Sequence, residues 1–333
     1  MKNKNDFPID FVVPWVDGSD PEWIKEFNKY CPEDKRILDV SEERYRDNGL
    51  LRYWFRGVEK FAPWVRKVHF ITCGQKPDWL NTECSKLNWV KHSDYIPQEY
   101  LPVFSSHPIE LMMHKIPDLA EHFVYFNDDF FLTAPVKKDF FFKNGLPCDT
   151  AALNIISCTD FMGHILLNNL DEINKRFTTK KVICHAPLKW LNFRNGIVFL
   201  RSLLLFPWSR FSGFFDPHVA QPYLKSSLIS VWNNCEKVLD KTMRNRFRSK
   251  SDVNQWIFRY WQLCSGLFAP KSMNGKKYFD LSQDITEIAT AIKGHKYKEI
   301  IINDDVTNDT DEKMKIINEA FNEILSEKSS FEK

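Results

Sequence analysis

"HFVYFNDDFFLTAP", residues 122–135, decides how the chain is read. Its first half is an aromatic and β-branched run of strand type, which then meets two adjacent carboxylates, Asp128 and Asp129. Two like charges after a run that reads as buried are costly unless something takes them up. On a strand, adjacent side chains point to opposite faces, so one aspartate can meet a ligand while the other bonds the neighbouring loop. Such a pair suits Mg²⁺ or Mn²⁺ held against a diphosphate, because hard cations take carboxylate oxygens and share them with phosphates. A polar strand exit built on Asx-turn bonds has the same sequence.

Upstream of this stretch the pattern alternates. "IDFVVPWV" (9–16) is a short apolar run that meets the turn formers "DGSDP", a strand ending in a loop, as α/β nucleotide sites begin. "NGLLRYWFRGVEKFAPW" (48–64) has helical spacing, "VRKVHFITCG" (65–74) reads as a second strand, and "LNWVKHSDYIP" (87–97) as a third with an exit loop. "SSHPIELMMHKIPDLAEH" (105–122) reads as a helix broken at its prolines, leading into "FVYF". Strands alternating with helices predict a mainly parallel sheet covered on both faces, a Rossmann-like α/β fold. Ligands of such sheets bind beyond the carboxyl ends of the strands, where both "DGSD" and "NDD" fall.

Downstream, the stretch 160–215 is helix-like, basic and aromatic, carrying Lys180, Lys181, Lys189, Arg194, Arg201 and Arg210. The pattern predicts three regions: an α/β nucleotide-binding core over 1–150, a helical insertion over 151–217, and a segment over 218–333 that completes the core. The last contains amphipathic helices at "PYLKSSLISVWNNCEKVL" and "DVNQWIFRYWQLCSGLF", a polar connection near "PKSMNGKK", a strand at "EIIIND" and a closing helix at "DTDEKMKIINEAFNEILSEK". The insertion's mix of Phe, Leu and Trp with basic residues suits peripheral contact with an anionic membrane surface; an ordinary helical subdomain with a basic rim fits equally.

The whole chain of 333 residues is long enough for a large core. With 46 Lys and Arg against 44 Asp and Glu it lacks the field of a nucleic-acid binder. Asp10 interrupts the amino-terminal apolar run, which makes a poor signal peptide. Arg201 and Arg210 break the most apolar segment below the roughly 18 residues that a membrane span needs. Eight cysteines without CxxC pairs predict free thiols in a cytoplasmic protein and no zinc site.

Several polar groups are candidates for chemistry. Asp17 and Asp20 sit at a strand end, where an acid can take ribose or base contacts. Glu110 and His114, four apart, share a helix face just upstream of the acidic pair. His218, between prolines in "FDPHVAQP", can present an imidazole to a cleft as a general base. Arg246 and Arg248 are spaced to share one face of an extended segment and clamp phosphate.

Taken in order, "IDFVVPWVDGSDPEW", "YRDNGLLRYWFRGVEKFAPWVRKVHFITCGQKPDWLN", "SSHPIELMMHKIPDLAEHFVYFNDDFFL", "NRFRSKSDVNQW" and "IIND" closely resemble the characteristic regions of the Stealth family of sugar-phosphate transferases. The resemblance implies transfer of a hexose-1-phosphate or N-acetylhexosamine-1-phosphate from a UDP-sugar to a glycan hydroxyl, with release of UMP, in capsule or surface polysaccharide synthesis. Carried over residue by residue, it makes Glu110, Asp128 and Asp129 acidic members of the active site, the aspartates being metal ligands. It makes His218 the base and Arg248 a phosphate contact. Asp17, Asp47, Asn48 and Arg52 would shape the donor pocket, and Asn303 and Asp304 match the last short block. The implied partners are the UDP-sugar and a glycan acceptor carried on lipid. Two rival readings remain at this point: a metal-dependent glycosyltransferase that uses the same donor and releases UDP, and a catalytically silent glycan- or nucleotide-binding subunit of an assembly complex.

Overall fold

The computed structural model describes residues 7–32, 38–39, 45, 48–195, 197–303 and 310–333. Four strands, β1 (Ile9–Pro14), β2 (Val68–Thr72), β3 (Leu87–Lys91) and β4 (His122–Tyr125), run parallel in the order β3-β2-β1-β4. β1 and β2 are buried on both faces, which is why they read as near-continuous apolar runs. Successive side chains feed two separate cores. Phe11, Val13, Phe70 and Val124 enter one with helices α1 (Pro21–Tyr30) excluded and α2 (Leu51–Phe61) included, through Trp54 and Phe55. Val12, Ile71, Phe123 and Tyr125 enter the other.

After β4 the chain does not continue as one strand. Asn127, Asp128 and Asp129 form a turn, and Phe130–Leu132 becomes β5, a strand of a second sheet. The two aspartates therefore sit in a corner between sheets rather than on opposite faces of a strand. The apolar pattern on either side is the same, so the change of sheet leaves no mark in the sequence. Against β5 packs α2, and only a glycine permits the approach: a Cβ on Gly57 would lie 2.8 Å from the Leu132 carbonyl oxygen.

The region between β5 and residue 217 carries a short hairpin over Phe142–Asp149 and then helices α3 excepted: α3 (Ser106–Leu111) precedes β4, whereas α4 (Phe161–Asn174), α5 (Thr179–His185), α6 (Pro187–Trp190) and α7 (Ile197–Leu205) lie here. A bridge between Leu153 and Phe214 closes this segment at its base.

Past it, "QPYL" is not the start of a helix but β6 (Gln221–Leu224), antiparallel to β4 at the edge of the main sheet. Helix α8 (Lys225–Met243) and α9 (Trp256–Cys264) follow and supply the second core. Two further elements, β7 (Lys276–Asp280) and α10 (Ile285–Lys293), occupy a stretch that reads largely as a polar connection. β7 buries only Phe279, so its pattern is weak; α10 is capped by Asp284, whose carboxylate accepts from Thr286 N. β8 (Glu299–Asn303) lies between β7, parallel, and β5, antiparallel, and α11 (Thr310–Ile324) closes the first core with Ile317 and Phe321. The molecule is thus a mixed α/β fold with a mostly parallel main sheet.

Candidate active site

A cleft of about 590 Å³ opens at the carboxyl ends of β1 and β4, within the usual range for small-molecule sites. It is the place at which parallel sheets present ligands. Its wall brings together Asn48, Glu110, Asp128, Asp129, His218, Arg248 and Asn303, seven residues that are far apart in sequence.

Asp128 and Asp129 are both partly exposed in the corner between the sheets. Ile302 N donates to the Asp129 carbonyl (3.1 Å), which fixes the corner to β8. His218 Nε2 lies 3.9 Å from Asp129 Oδ2, within ion-pair reach and beyond a direct hydrogen bond. The imidazole, 44% exposed, stands edge-on to Phe130 and Tyr278.

The loop that carries His218 is held on both flanks by buried charge. On one side Asp216 accepts from Arg259 Nη1 (2.7 Å) and from the Tyr260 hydroxyl. Arg259 is wholly buried and also grips Asp149 through Nε and Nη2, each at 2.9 Å. Desolvation pushes the Asp216 carboxyl up to about 6 despite the adjacent guanidinium. On the other side Glu299 Oε1 accepts from Ala220 N (2.6 Å), and Lys276 Nζ lies 3.0 Å from the same carboxylate. A partly exposed imidazole on a loop anchored in this way is preorganised, with little freedom to lose on binding.

Glu110 is buried in the cleft wall. It accepts from the Tyr125 hydroxyl and from Gln255 N, both at 3.2 Å, and so ties α3 to β4 and to the segment before α9. Arg248 donates from Nη2 to Ser106 Oγ (3.0 Å) at the start of α3. Arg246 does not join it there: its guanidinium stacks over the Tyr30 ring, 4.8 Å from the centroid.

Four expected site residues lie outside the cleft lining. Asp17 accepts from Ser19 N (2.9 Å) and Ser19 Oγ (2.6 Å), closing its own turn. Asp20 is the N-cap of α1 and accepts from Glu22 N (2.9 Å) and Trp23 N (3.4 Å), with Gln75 Nε2 on its other oxygen. Arg52 is exposed, with its guanidinium over Trp79. His114 does not share a helix face with Glu110, because α3 stops at Leu111 and His114 sits in a separate 3₁₀ turn over Met113–Lys115. It is buried near Trp232, and burial pushes its imidazole down to about 4. Asp47 and Asp304 lie outside the described residues.

His107 is among the cleft residues that escaped the sequence reading. It is buried in the wall with Nδ1 2.9 Å from Asp252 Oδ2, and Asp252 also accepts from Asn245 Nδ2 (2.6 Å) and Ser249 N (2.9 Å). Its spacing of three from Glu110 on one helical turn was the only cue. Asp252 lies 145 positions along the chain from His107, and no local pattern links them.

Comparison with known proteins bears on what this cleft is. The models of Stealth protein conserved region 1 and conserved region 2 match residues 7–31 and 44–149. A capsular polysaccharide phosphotransferase of Streptococcus pneumoniae is 42% identical over 333 residues, covering 99% of each chain. The chain belongs to the Stealth family. Other Stealth relatives agree along the full length: a receptor polysaccharide phosphotransferase of Streptococcus gordonii is 40% identical, covering 97% of this chain and 98% of its own. An exopolysaccharide phosphotransferase of Lactiplantibacillus plantarum is also 40% identical, covering 100% and 98%.

Among the described residues no three His, Cys, Asp or Glu side chains form a ready-made metal cluster. The acidic corner fits a cation nonetheless. Mg²⁺ is commonly bound by one or two carboxylates together with substrate phosphates and water, so two acids lining an open cleft are a sufficient protein share.

Proposed function

We propose that this Stealth protein is a sugar-phosphate transferase that moves a hexose-1-phosphate or N-acetylhexosamine-1-phosphate from a UDP-sugar to a glycan hydroxyl in capsular or surface polysaccharide synthesis. The observation that carries the reading is the meeting, in one cleft, of the Asp128–Asp129 corner, the His218 imidazole 3.9 Å from it and the Arg248 guanidinium. In this reading the sheet is a Rossmann-like, GT-A-like platform for the nucleotide sugar, residues 151–217 form an accessory subdomain, and 218–333 complete the core.

His218 takes the proton of the acceptor hydroxyl as its oxygen attacks the phosphorus that bears the sugar. The new P–O bond forms the phosphodiester, the diphosphate bridge breaks, and the electron pair leaves with UMP. Arg248 meets the charge that spreads over the transferred phosphoryl oxygens. Glu110, held by Tyr125 and Gln255 N, fixes the wall on which the donor lies. Asp128 and Asp129 would hold Mg²⁺ or Mn²⁺, which supplies positive charge to the donor diphosphate. Asn48 and Asn303 line the same cleft as donor contacts, and Asp47 and Asp304 belong with them on family resemblance. The acceptor is a glycan on a lipid carrier, which places the protein in the cytoplasm near the inner face of the membrane.

The test is the nucleotide released. With Mg²⁺, a panel of UDP-sugars and acceptor, the wild type is expected to release UMP and to give a product with a phosphodiester signal in ³¹P NMR. His218→Ala should lower kcat by about 10²-fold or more with donor KM little changed, as removal of a positioned base does. Acceptor-dependent release of UDP would instead make the protein a glycosyltransferase.

A further inference from the structure

Residues 173–215 contain eight Lys and Arg and not one Asp or Glu. The chain as a whole carries only +2, so the remainder is net acidic and the positive charge is concentrated in this segment. The same segment exposes apolar surface. Of the thirteen large hydrophobic residues exposed among the described residues, seven fall between Leu188 and Trp208. Leu188 is 88% exposed, Phe193 80% and Leu204 74%.

Helix α7 explains how this arises. Within the helix Leu200, Leu203 and Leu204 point to solvent while Phe199, Ser202 and Leu205 face inward, and Trp208, in the turn just past its end, is exposed beside them. Ser202 Oγ donates to Val198 O and accepts from Leu153 N (2.8 Å), which fixes that orientation. A surface helix of a soluble protein ordinarily presents its polar face to water. Here the polar anchor is inside and the leucine stripe outside. Isolated exposed leucines mean little, but a cluster of this kind marks an interaction surface.

The charge selects the occupant. A second copy of this face would bring basic residues against basic residues, with no carboxylate in the segment to pair them. A neutral glycan would gain nothing from the field. We propose that α5 to α7 form a docking face for an anionic lipid bilayer, with Leu188, Phe193, Leu200, Leu204 and Trp208 entering the headgroup layer and Lys180, Lys181 and Arg201 meeting lipid phosphates. No helix among the described residues is long and apolar enough to cross a membrane, so the contact is one of surface docking. Not every basic residue of the segment is available to it. Lys175 and Arg176 are paired with Asp171 and Glu172 just ahead of the segment, Lys189 Nζ donates to Gly266 O (2.6 Å) and Phe268 O (2.9 Å), and Arg210 donates to Asn174 O, so these four are spent on the body. Lys180 and Lys181 are exposed, and Arg201 is exposed with one nitrogen on Asn154 Oδ1.

The inference does not depend on the donor or the reaction proposed above. The full chain is sedimented with phosphatidylglycerol-containing vesicles and with pure phosphatidylcholine vesicles, and sedimentation velocity reports its association state without lipid. Wild type is expected to bind the anionic vesicles alone and to be released by high salt. Replacing Lys180, Lys181 and Arg201 by Gln should lower partitioning on the order of 100-fold, at about fivefold per basic residue. Leu204→Ser with Trp208→Ser should lower it by a comparable factor, and thermal unfolding of both variants should match wild type. Equal binding to the two vesicle types, or binding indifferent to salt and to both sets of substitutions, would overturn the proposal. So would a wild-type dimer that the Leu204→Ser, Trp208→Ser variant dissolves without any vesicle binding, since that assigns the face to a second copy.

Discussion

The two ends of the main sheet treat their carboxylates differently. At the amino-terminal edge Asp10 is wholly buried on β1. It accepts from Arg66 Nε (2.8 Å) and Nη2 (2.5 Å) and from Ala120 N (2.8 Å), with His69 Nε2 at 3.0 Å. At the carboxyl edge Asp129 stays partly open to a cleft and faces an imidazole at 3.9 Å. Burial alone would raise the Asp10 carboxyl, but bonds from His69, Arg66 and Ala120 N hold it below the ordinary value. An acid whose oxygens are saturated by protein donors is part of the architecture. One left facing a cavity has lone pairs to offer a ligand.

That contrast is broken most directly by removing one charge at each end. Asp129→Asn is expected to lower kcat about 10³-fold or more with an unchanged unfolding midpoint, since a lost metal ligand removes several kcal/mol of transition-state stabilisation. EDTA should reproduce the loss in wild type, and Mg²⁺ or Mn²⁺ should restore it. Asp10→Asn removes the buried charge that His69 and the half-buried Arg66 bond, Arg66 keeping Asp118 as a partner, and should cost about 1–3 kcal/mol of stability in a denaturant titration, with normal activity per folded molecule. If Asp129→Asn unfolds the protein, or Asp10→Asn leaves stability untouched, the distinction between the two edges fails.

Which parts of this were legible follows from range. β1 and β2 show in the sequence because each is a local run of β-branched and aromatic residues, and α2 because its apolar positions recur within one helix. Asp10 shows only as an interruption, because its partners Arg66 and His69 lie more than fifty residues away. The same holds at the cleft. His218 stands out between its prolines, whereas Arg259 and Glu299, which hold its loop, look like ordinary members of α9 and β8 until the fold buries them. Asp20 and His114 read as site residues because a sequence pattern cannot tell a cap or a core imidazole from a ligand contact. The helix break at Leu111 separates His114 from Glu110.

Acid titration sharpens the comparison. Burial holds the imidazoles of His92 and His114 down to about 4. The unfolded chain takes up these protons near pH 6.5 and the folded chain near 4, so stability falls as pH drops through that window, by up to about 3 kcal/mol for each group. Asp10 is shifted in the same direction for another reason: burial would raise it, and its bonds from His69, Arg66 and Ala120 N hold it down. Its contribution is fully present above the unfolded carboxylate value near 4 and is lost only as pH falls below that, through its depressed folded value. Asp216, raised to about 6, gains stability over the same window and offsets part of the histidine loss, so urea midpoints measured from pH 7 to 3 should decline in two stages with the first one partly offset. His92→Gln with His114→Gln should flatten the first stage and leave the second; a double variant that keeps the full slope above pH 4 would place the acid sensitivity elsewhere.

The smallest expected effect concerns Asp20, which lies near the active edge and yet behaves like the architectural acid. Its Oδ1 accepts from Glu22 N and Trp23 N in the first turn of α1, where Pro21 has no N–H to offer, and Gln75 Nε2 bonds Oδ2. Asp20→Ala removes the cap and should cost about 1 kcal/mol of stability. Asp20→Asn keeps an accepting oxygen for the same N–H groups and should recover most of that loss. Donor KM should be unchanged in both variants, because the side chain is spent on the helix end. A donor contact predicts the reverse: KM would rise in both variants, most in Ala, while the unfolding midpoint stayed at the wild-type value. Measuring KM and midpoint on the same preparations separates the two roles, and a raised KM with intact stability would move Asp20 from the frame of the sheet to its active edge.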